Sequence, residues 1–202
     1  MKLLKKILSR NKKSNPLKAT SDKLNKHSSV RELLSANEDL TLLVELTKSS
    51  NVLFGIEWPS LTKMAFQDVH DILEHQNRGE LFEMVKIITG KNIDDILELE
   101  SGFFIKFVKW IGEQCKIIIN LYGVLGEKEE FDEEDVAYQN AGSDKLNRYK
   151  EKMIYYSIDK NPVNWPAMER VPFEVMFTKL LIDKDLGSIN KKYAKLMTKK
   201  NG

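Results

Sequence analysis

The sequence predicts an all-α protein: a single helical domain of about seven helices around a central apolar helix at 103–120, preceded by a basic flexible arm. Three observations carry this reading. From Phe103 to Asn120 the charged residues are Lys106, Lys109, Glu113 and Lys116, spaced 3, 4 and 3, so one narrow polar stripe runs along an otherwise apolar helix. Elsewhere apolar residues recur at three- and four-residue intervals, and Ser, Asn and Gly stand where helices would begin and end. Finally, 42% of the 202 residues are hydrophobic, enough for a core that needs no disulfide or metal staple.

Residues 1–28 mix lysine with Asn, Ser, Thr and Pro16. Leu3, Leu4, Ile7 and Leu8 share one side of a short basic amphipathic helix, which runs into a linker ending at Ser28. The helical body, 29–187, opens with Val30, Leu33 and Leu34 and continues through Leu40–Leu46. Val52–Trp58 is β-branched and aromatic, which allows a short extended segment, and Pro59 interrupts it. Ser60 then caps a helix that places Leu61, Met64, Ala65, Val69, Ile72 and Leu73 on one face. Two short helices follow, Glu80–Thr89 and Ile93–Leu99, with Gly90 as the left-handed stop of the first and Asn92 as the cap of the second.

After the central helix, Gly123 and Gly126 mark its end, and Glu127–Asp135 carries seven acids and one lysine within a loop, 127–142, too charged to pack. Ser143-Asp144 opens a helix to about Ser157. Asn161-Pro162 and Trp165-Pro166 punctuate a linker. Pro172 suits the first position of a helix to Lys184 with Phe173, Met176, Phe177, Leu180 and Leu181 inward. After Gly187, Ser188 caps a basic C-terminal helix or tail, 188–202, with Ile189, Tyr193, Leu196 and Met197 at helical spacing.

The net charge of +2 conceals an uneven distribution. Residues 1–31 hold ten Lys/Arg and one acid, and 191–200 hold five lysines and no acid; the span between them is net −12. Like-charge ends of this kind are solvated tails or arms that reach an anionic partner. Contact with nucleic acid, with a membrane surface or with a docking protein all remain open for the arm. The opening residues are no secretory signal, and no segment has the apolar length of a membrane span. A lone Cys115 in apolar company excludes an internal disulfide framework and fits a reducing compartment.

Catalytic signatures are missing from the sequence. His70 and His75 are five residues apart, wrong for paired ligands on one helix face, and one cysteine cannot build a thiolate site. Thr89-Gly90-Lys91 lacks the remaining residues of a phosphate-binding loop, and no Gly-x-Ser-x-Gly occurs. The helix–glycine–helix at 80–99 suggests a DNA-reading motif, but its second helix is acidic and would be repelled by phosphate. The reading is therefore of a protein without catalytic residues, metal or cofactor.

The stretch Val85-Lys86-Ile87-Ile88-Thr89-Gly90-Lys91-Asn92-Ile93-Asp94-Asp95-Ile96-Leu97-Glu98-Leu99 resembles a segment of the tail assembly chaperones of tailed bacteriophages, where an apolar helix ends in Thr-Gly and a short acidic helix follows. Trp165-Pro166, Val171-Pro172-Phe173 and Leu180-Leu181-Ile182-Asp183-Lys184 are similar to the ends of proteins from tailed-phage structural gene clusters. The resemblance covers about residues 60–190 and rests on short motifs.

It implies a phage virion or morphogenesis protein that binds portal, tail-tube or tape-measure proteins within an oligomeric assembly, located in the host cytoplasm during assembly or in the virion. The basic arm departs from the chaperone pattern and suits a component that threads between subunits or touches packaged DNA. The expected partner-binding residues are Lys2, Lys5, Lys6, Arg10, Lys12 and Lys13 in the arm, and Trp58, Trp165 and Phe173 in the body. The alternatives are a nucleic-acid-binding regulatory or packaging-associated protein that uses its basic termini, and an enzyme whose site leaves no motif.

Overall fold

A computed structural model describes residues 29–36, 40–126, 140–149 and 152–201. It is an all-α protein. Nine α-helices occur among the described residues: α1 Val30–Ser35, α2 Leu40–Leu46, α3 Phe66–Arg78, α4 Leu81–Thr89, α5 Ile93–Leu97, α6 Ser101–Gly126, α7 Lys152–Ile158, α8 Trp165–Met168 and α9 Phe173–Asn201. One small hairpin, β1 Val52–Leu53 with β2 Ile56–Glu57, and three 3-10 turns complete the described elements. The basic arm, 1–28, and most of the acidic loop, 127–139, lie outside the described residues.

The chain gathers into two compact units that interleave along the sequence. One takes in the chain up to Trp58 together with Gly79–Glu113; the other takes in Pro59–Arg78 and the chain from Gln114 onward.

In the first unit, Ser29 caps α1 by accepting from Glu32 N at 3.3 Å, and Val30 and Leu33 are fully buried. Val30 N donates to Leu99 O at 2.8 Å, fastening α1 to the chain just after α5. Lys109 Nζ donates to Glu45 O at 2.8 Å, satisfying a carbonyl that the last turn of α2 leaves open. The hairpin turns through Phe54 and Gly55, with φ of 54° and 72°. Two left-handed residues are what a two-residue type I′ turn requires; glycine adopts that conformation freely, while Phe54 costs about 1–2 kcal/mol. The Phe54 ring is covered by Lys91, whose Nζ lies 5.6 Å from its centroid.

Gly90 ends α4 with φ of 65°, its N–H donating to Lys86 O at 2.7 Å, and Asn92 opens α5 by accepting from Asp95 N at 2.8 Å. Both assignments agree with the sequence reading. The first half of α6 supplies Phe104, Phe107 and Ile111 to this unit's core, where Phe82 stacks on Phe104 at 5.3 Å. Phe103 and Ile117 are each about half exposed. The apolar arc of α6 is therefore wider than the face it buries.

In the second unit, Ser60 caps not the long helix but a 3-10 turn, Leu61–Lys63, accepting from Thr62 N at 3.4 Å while donating to Gln114 Oε1 at 2.7 Å. The chain then extends through Met64 and Ala65 and forms one antiparallel bridge, Ala65 with Pro172. Phe66 N donates to Val171 O at 2.8 Å and Phe173 N to Met64 O at 2.9 Å. This bridge delays α3 to Phe66 and clamps the beginnings of α3 and α9 together. Pro172 stands just ahead of α9, its carbonyl accepting from Met176 N at 3.2 Å.

The helix expected over 143–157 is a 3-10 turn, Ser143–Tyr149, followed by α7. Asn164 Nδ2 and Asn161 N donate to the Asp159 carboxylate at 2.6 and 2.8 Å, holding it below its ordinary value and ordering the turn before α8. The largest departure from the sequence reading is α9, which runs unbroken from Phe173 to Asn201 instead of ending at Lys184 with a new helix after Gly187. Gly187 has open space where a Cβ would stand, so it costs the helix only about 1 kcal/mol relative to alanine. Buried turns at Phe173, Met176 and Phe177 upstream hold the helix against that cost.

Candidate interaction surface

The sequence-derived site residues divide into three groups. Lys2, Lys5, Lys6, Arg10, Lys12 and Lys13 lie outside the described residues. Trp58, in the first unit, is part-buried, donates through its indole N–H to Leu53 O at 3.3 Å and anchors the hairpin through its backbone N–H to Asn51 O at 2.9 Å. Trp165 and Phe173 belong to the second unit. Trp165 is also part-buried and donates to Asp159 O at 2.9 Å. Phe173 is fully buried, stacked between Phe66 and Phe177 at 5.7 Å from each. It is a core ring and offers no surface to a partner. Both indole N–H groups are engaged within the chain, so each tryptophan can present only part of a ring face.

The second unit's densest chemistry surrounds Phe66. The Tyr122 hydroxyl lies 2.7 Å from His70 Nε2, and the His70 ring packs 4.6 Å from Phe66. Tyr155 donates to Gln67 Oε1 at 2.8 Å, and Gln67 Nε2 donates to Asp71 Oδ1 at 2.8 Å. Burial, with Tyr155 nearby, raises the Tyr122 phenol well above its ordinary value. Desolvation, with Asp71 second, raises the Asp68 carboxyl. Burial pushes the Cys115 thiol up to about 12. Neither the phenol nor the thiol ionises near neutral pH, and the cluster joins α3, α6 and α7 through hydrogen bonds and tilted or edge-on ring contacts.

Among the described residues no group of three or more His, Cys, Asp or Glu could hold a metal ion, and no helix is long and apolar enough to cross a membrane. The first unit carries an open groove of about 560 Å³ lined by Glu45–Ser49, Lys109 and Glu113. Of its two lysines, Lys109 already caps α2 through Glu45 O.

The feature that the sequence reading missed lies on the distal half of α9. Ile182, Leu186, Ile189, Tyr193 and Leu196 are each between 51% and 67% exposed. Their intervals of 4, 3, 4 and 3 place them in one row along the helix, about 21 Å long at the usual rise. The signal was present in the sequence, but a helix boundary set at Gly187 cut the row in two. Large apolar residues aligned at a seven-residue repeat on an exposed helix mark a surface for another helix or protein.

No protein-family model, curated protein or solved structure matches the chain.

Proposed function

We propose that this chain is a non-enzymatic structural or assembly protein of the tailed-bacteriophage type, a virion component or a head or tail morphogenesis factor, which acts by binding other proteins. The single observation that carries the binding role is the exposed apolar row Ile182–Leu196 on a helix held rigid at its base by Phe173, Met176 and Phe177. A rigid helix presenting large apolar side chains loses little conformational entropy on docking, which favours recognition of a groove or another helix. The phage assignment comes from the sequence resemblance over residues 60–190, and it names portal, tail-tube or tape-measure proteins as the partners. In this reading the basic termini reinforce contacts with acidic neighbours or packaged DNA.

The test is affinity recovery of the tagged full chain from the lysate of the cell that makes it, at low and high salt. Ile189→Asp and a chain lacking residues 1–28 are run in parallel. Recovery of identified virion proteins that survives high salt and is lost in Ile189→Asp supports the reading. Recovery of nucleic acid alone, lost with salt or with the arm, replaces it with a nucleic-acid-binding regulatory or packaging-associated role, a reading motivated by the five lysines and no acids over 191–200.

A further inference from the structure

We infer that the distal half of α9 pairs with the same segment of a second copy of this chain, antiparallel and in one register. The inference rests on the reading of that row as a binding surface and names its occupant.

Heptad geometry fixes the positions. Ile182, Ile189 and Leu196 occupy d, and Leu186 and Tyr193 occupy a; Asp185, Lys192 and Lys199 then fall at g, flanking the row. Parallel pairing would lay the two 191–200 segments side by side, each with five lysines and no acid. Antiparallel pairing instead moves the two basic stretches to opposite ends and sets each toward the partner's earlier turns, where Asp183 and Asp185 stand among Lys179 and Lys184.

The register follows from the same charges. With Leu186 layered on the partner's Ile189 and Ile182 on the partner's Tyr193, each Asp185 stands beside the partner's Lys192, twice by symmetry. A slip of one heptad one way sets Lys192 against the partner's Lys192, although each Asp185 then meets the partner's Lys199. A slip the other way sets Asp185 against the partner's Asp185. Only the first register gains two ion pairs with no like charges facing across the seam.

The chain's own basic arm suits this surface less well, because its lysines would approach the five lysines of 191–200. A pair of helices this short would be marginal if each had to fold on binding. Here each helix is already anchored through Phe173, Met176 and Phe177, so pairing need not supply the ordering of the segment.

The test is sedimentation equilibrium of the full chain over a concentration series, with circular dichroism to verify that each variant stays folded. Ile189 is 59% exposed, so Ile189→Asp leaves the core intact; it is expected to weaken self-association about 30-fold or more. Lys192→Glu is expected to weaken it, and adding Asp185→Lys to that variant to restore it, since the swap rebuilds both ion pairs only in the antiparallel register.

A chain that stays monomeric at every soluble concentration overturns the proposal, as does self-association that survives Ile189→Asp. Failure of the charge swap to restore pairing overturns the antiparallel register. Loss of self-association on deleting 1–28, with none on Ile189→Asp, assigns the contact to the arm and also overturns it. A monomer that still recovers virion proteins through this row overturns the self-pairing alone. A dimer that recovers none overturns only the assembly role.

Discussion

Arg31 Nε donates to Glu98 Oε1 at 2.8 Å across 67 residues of sequence, and a second guanidinium nitrogen lies 3.9 Å from Asp94. The last cation of the basic N-terminal stretch is thus drawn back onto the acidic helix α5, the helix whose charge argues against DNA reading. Both partners are more than half exposed, so the pair contributes only about 0.2–1 kcal/mol. Arg31→Ala is expected to lower the unfolding free energy by no more than that in urea titrations. The difference should shrink as salt is raised; a salt-independent loss above that range would mean that the arginine stem, not its charge, holds α1 in place.

Gly187→Ala separates a continuous α9 from two helices broken at residue 187. In a helix interior with open space at the Cβ, alanine is expected to stabilise the protein by about 1 kcal/mol. If Gly187 instead held a left-handed stop, the same substitution would destabilise by about 1–2 kcal/mol. Thermal or chemical unfolding reads the sign directly.

Much of the fold was legible because local chemistry and tertiary structure agree. Gly90 and Asn92 punctuate α4 and α5 where the sequence placed them, and Phe104, Phe107, Ile111 and Ile118 are buried in the helix read as central. What escaped depends on distant contacts. Ser60 looked like the cap of a long helix, but the bridge from Ala65 to Pro172, more than a hundred residues apart, holds the chain extended until Phe66. Phe173 and Trp165 look alike in sequence, as aromatics beside prolines, yet only the stack between Phe66 and Phe177 reveals that Phe173 is enclosed. Gly187 misled in the other direction: a weak helix former was read as a boundary, and the exposed apolar row was divided with it.

Gly90→Ala is expected to cost about 1–2 kcal/mol, since φ of 65° strains any residue with a Cβ. Nothing crowds that Cβ, so the loss is conformational, and Gly90→Asn should recover part of it because asparagine tolerates the left-handed region better. Equal losses for both variants would point instead to a packing role.

Cys115 predicts a pH dependence. Its thiol rises from 9.0 to about 12 in the folded chain, so the unfolded chain releases its proton first as pH increases. The sign follows: the stabilising effect is complete below pH 9 and is lost as pH climbs toward 12, by up to about 1.4 kcal/mol per unit. Unfolding measured between pH 8 and about 10 should show this component in the natural chain and lack it in Cys115→Ala. Alkylation of the thiol at pH 8 should be slow in the folded protein and rapid in denaturant.

The interleaving of the two units has a consequence for synthesis. The chain passes from the first unit to the second at Trp58, returns at Gly79 and leaves again after Glu113, midway along α6. During translation Pro59–Arg78 emerges before any of the residues that complete its own unit. It must wait, with Phe66, Val69 and Ile72 unsheltered, while the neighbouring unit acquires its last strip of chain. A stop after Glu113 would release every residue of the first unit but leave Pro59–Arg78 without the rest of its own, so truncations before α9 yield a chain with exposed core.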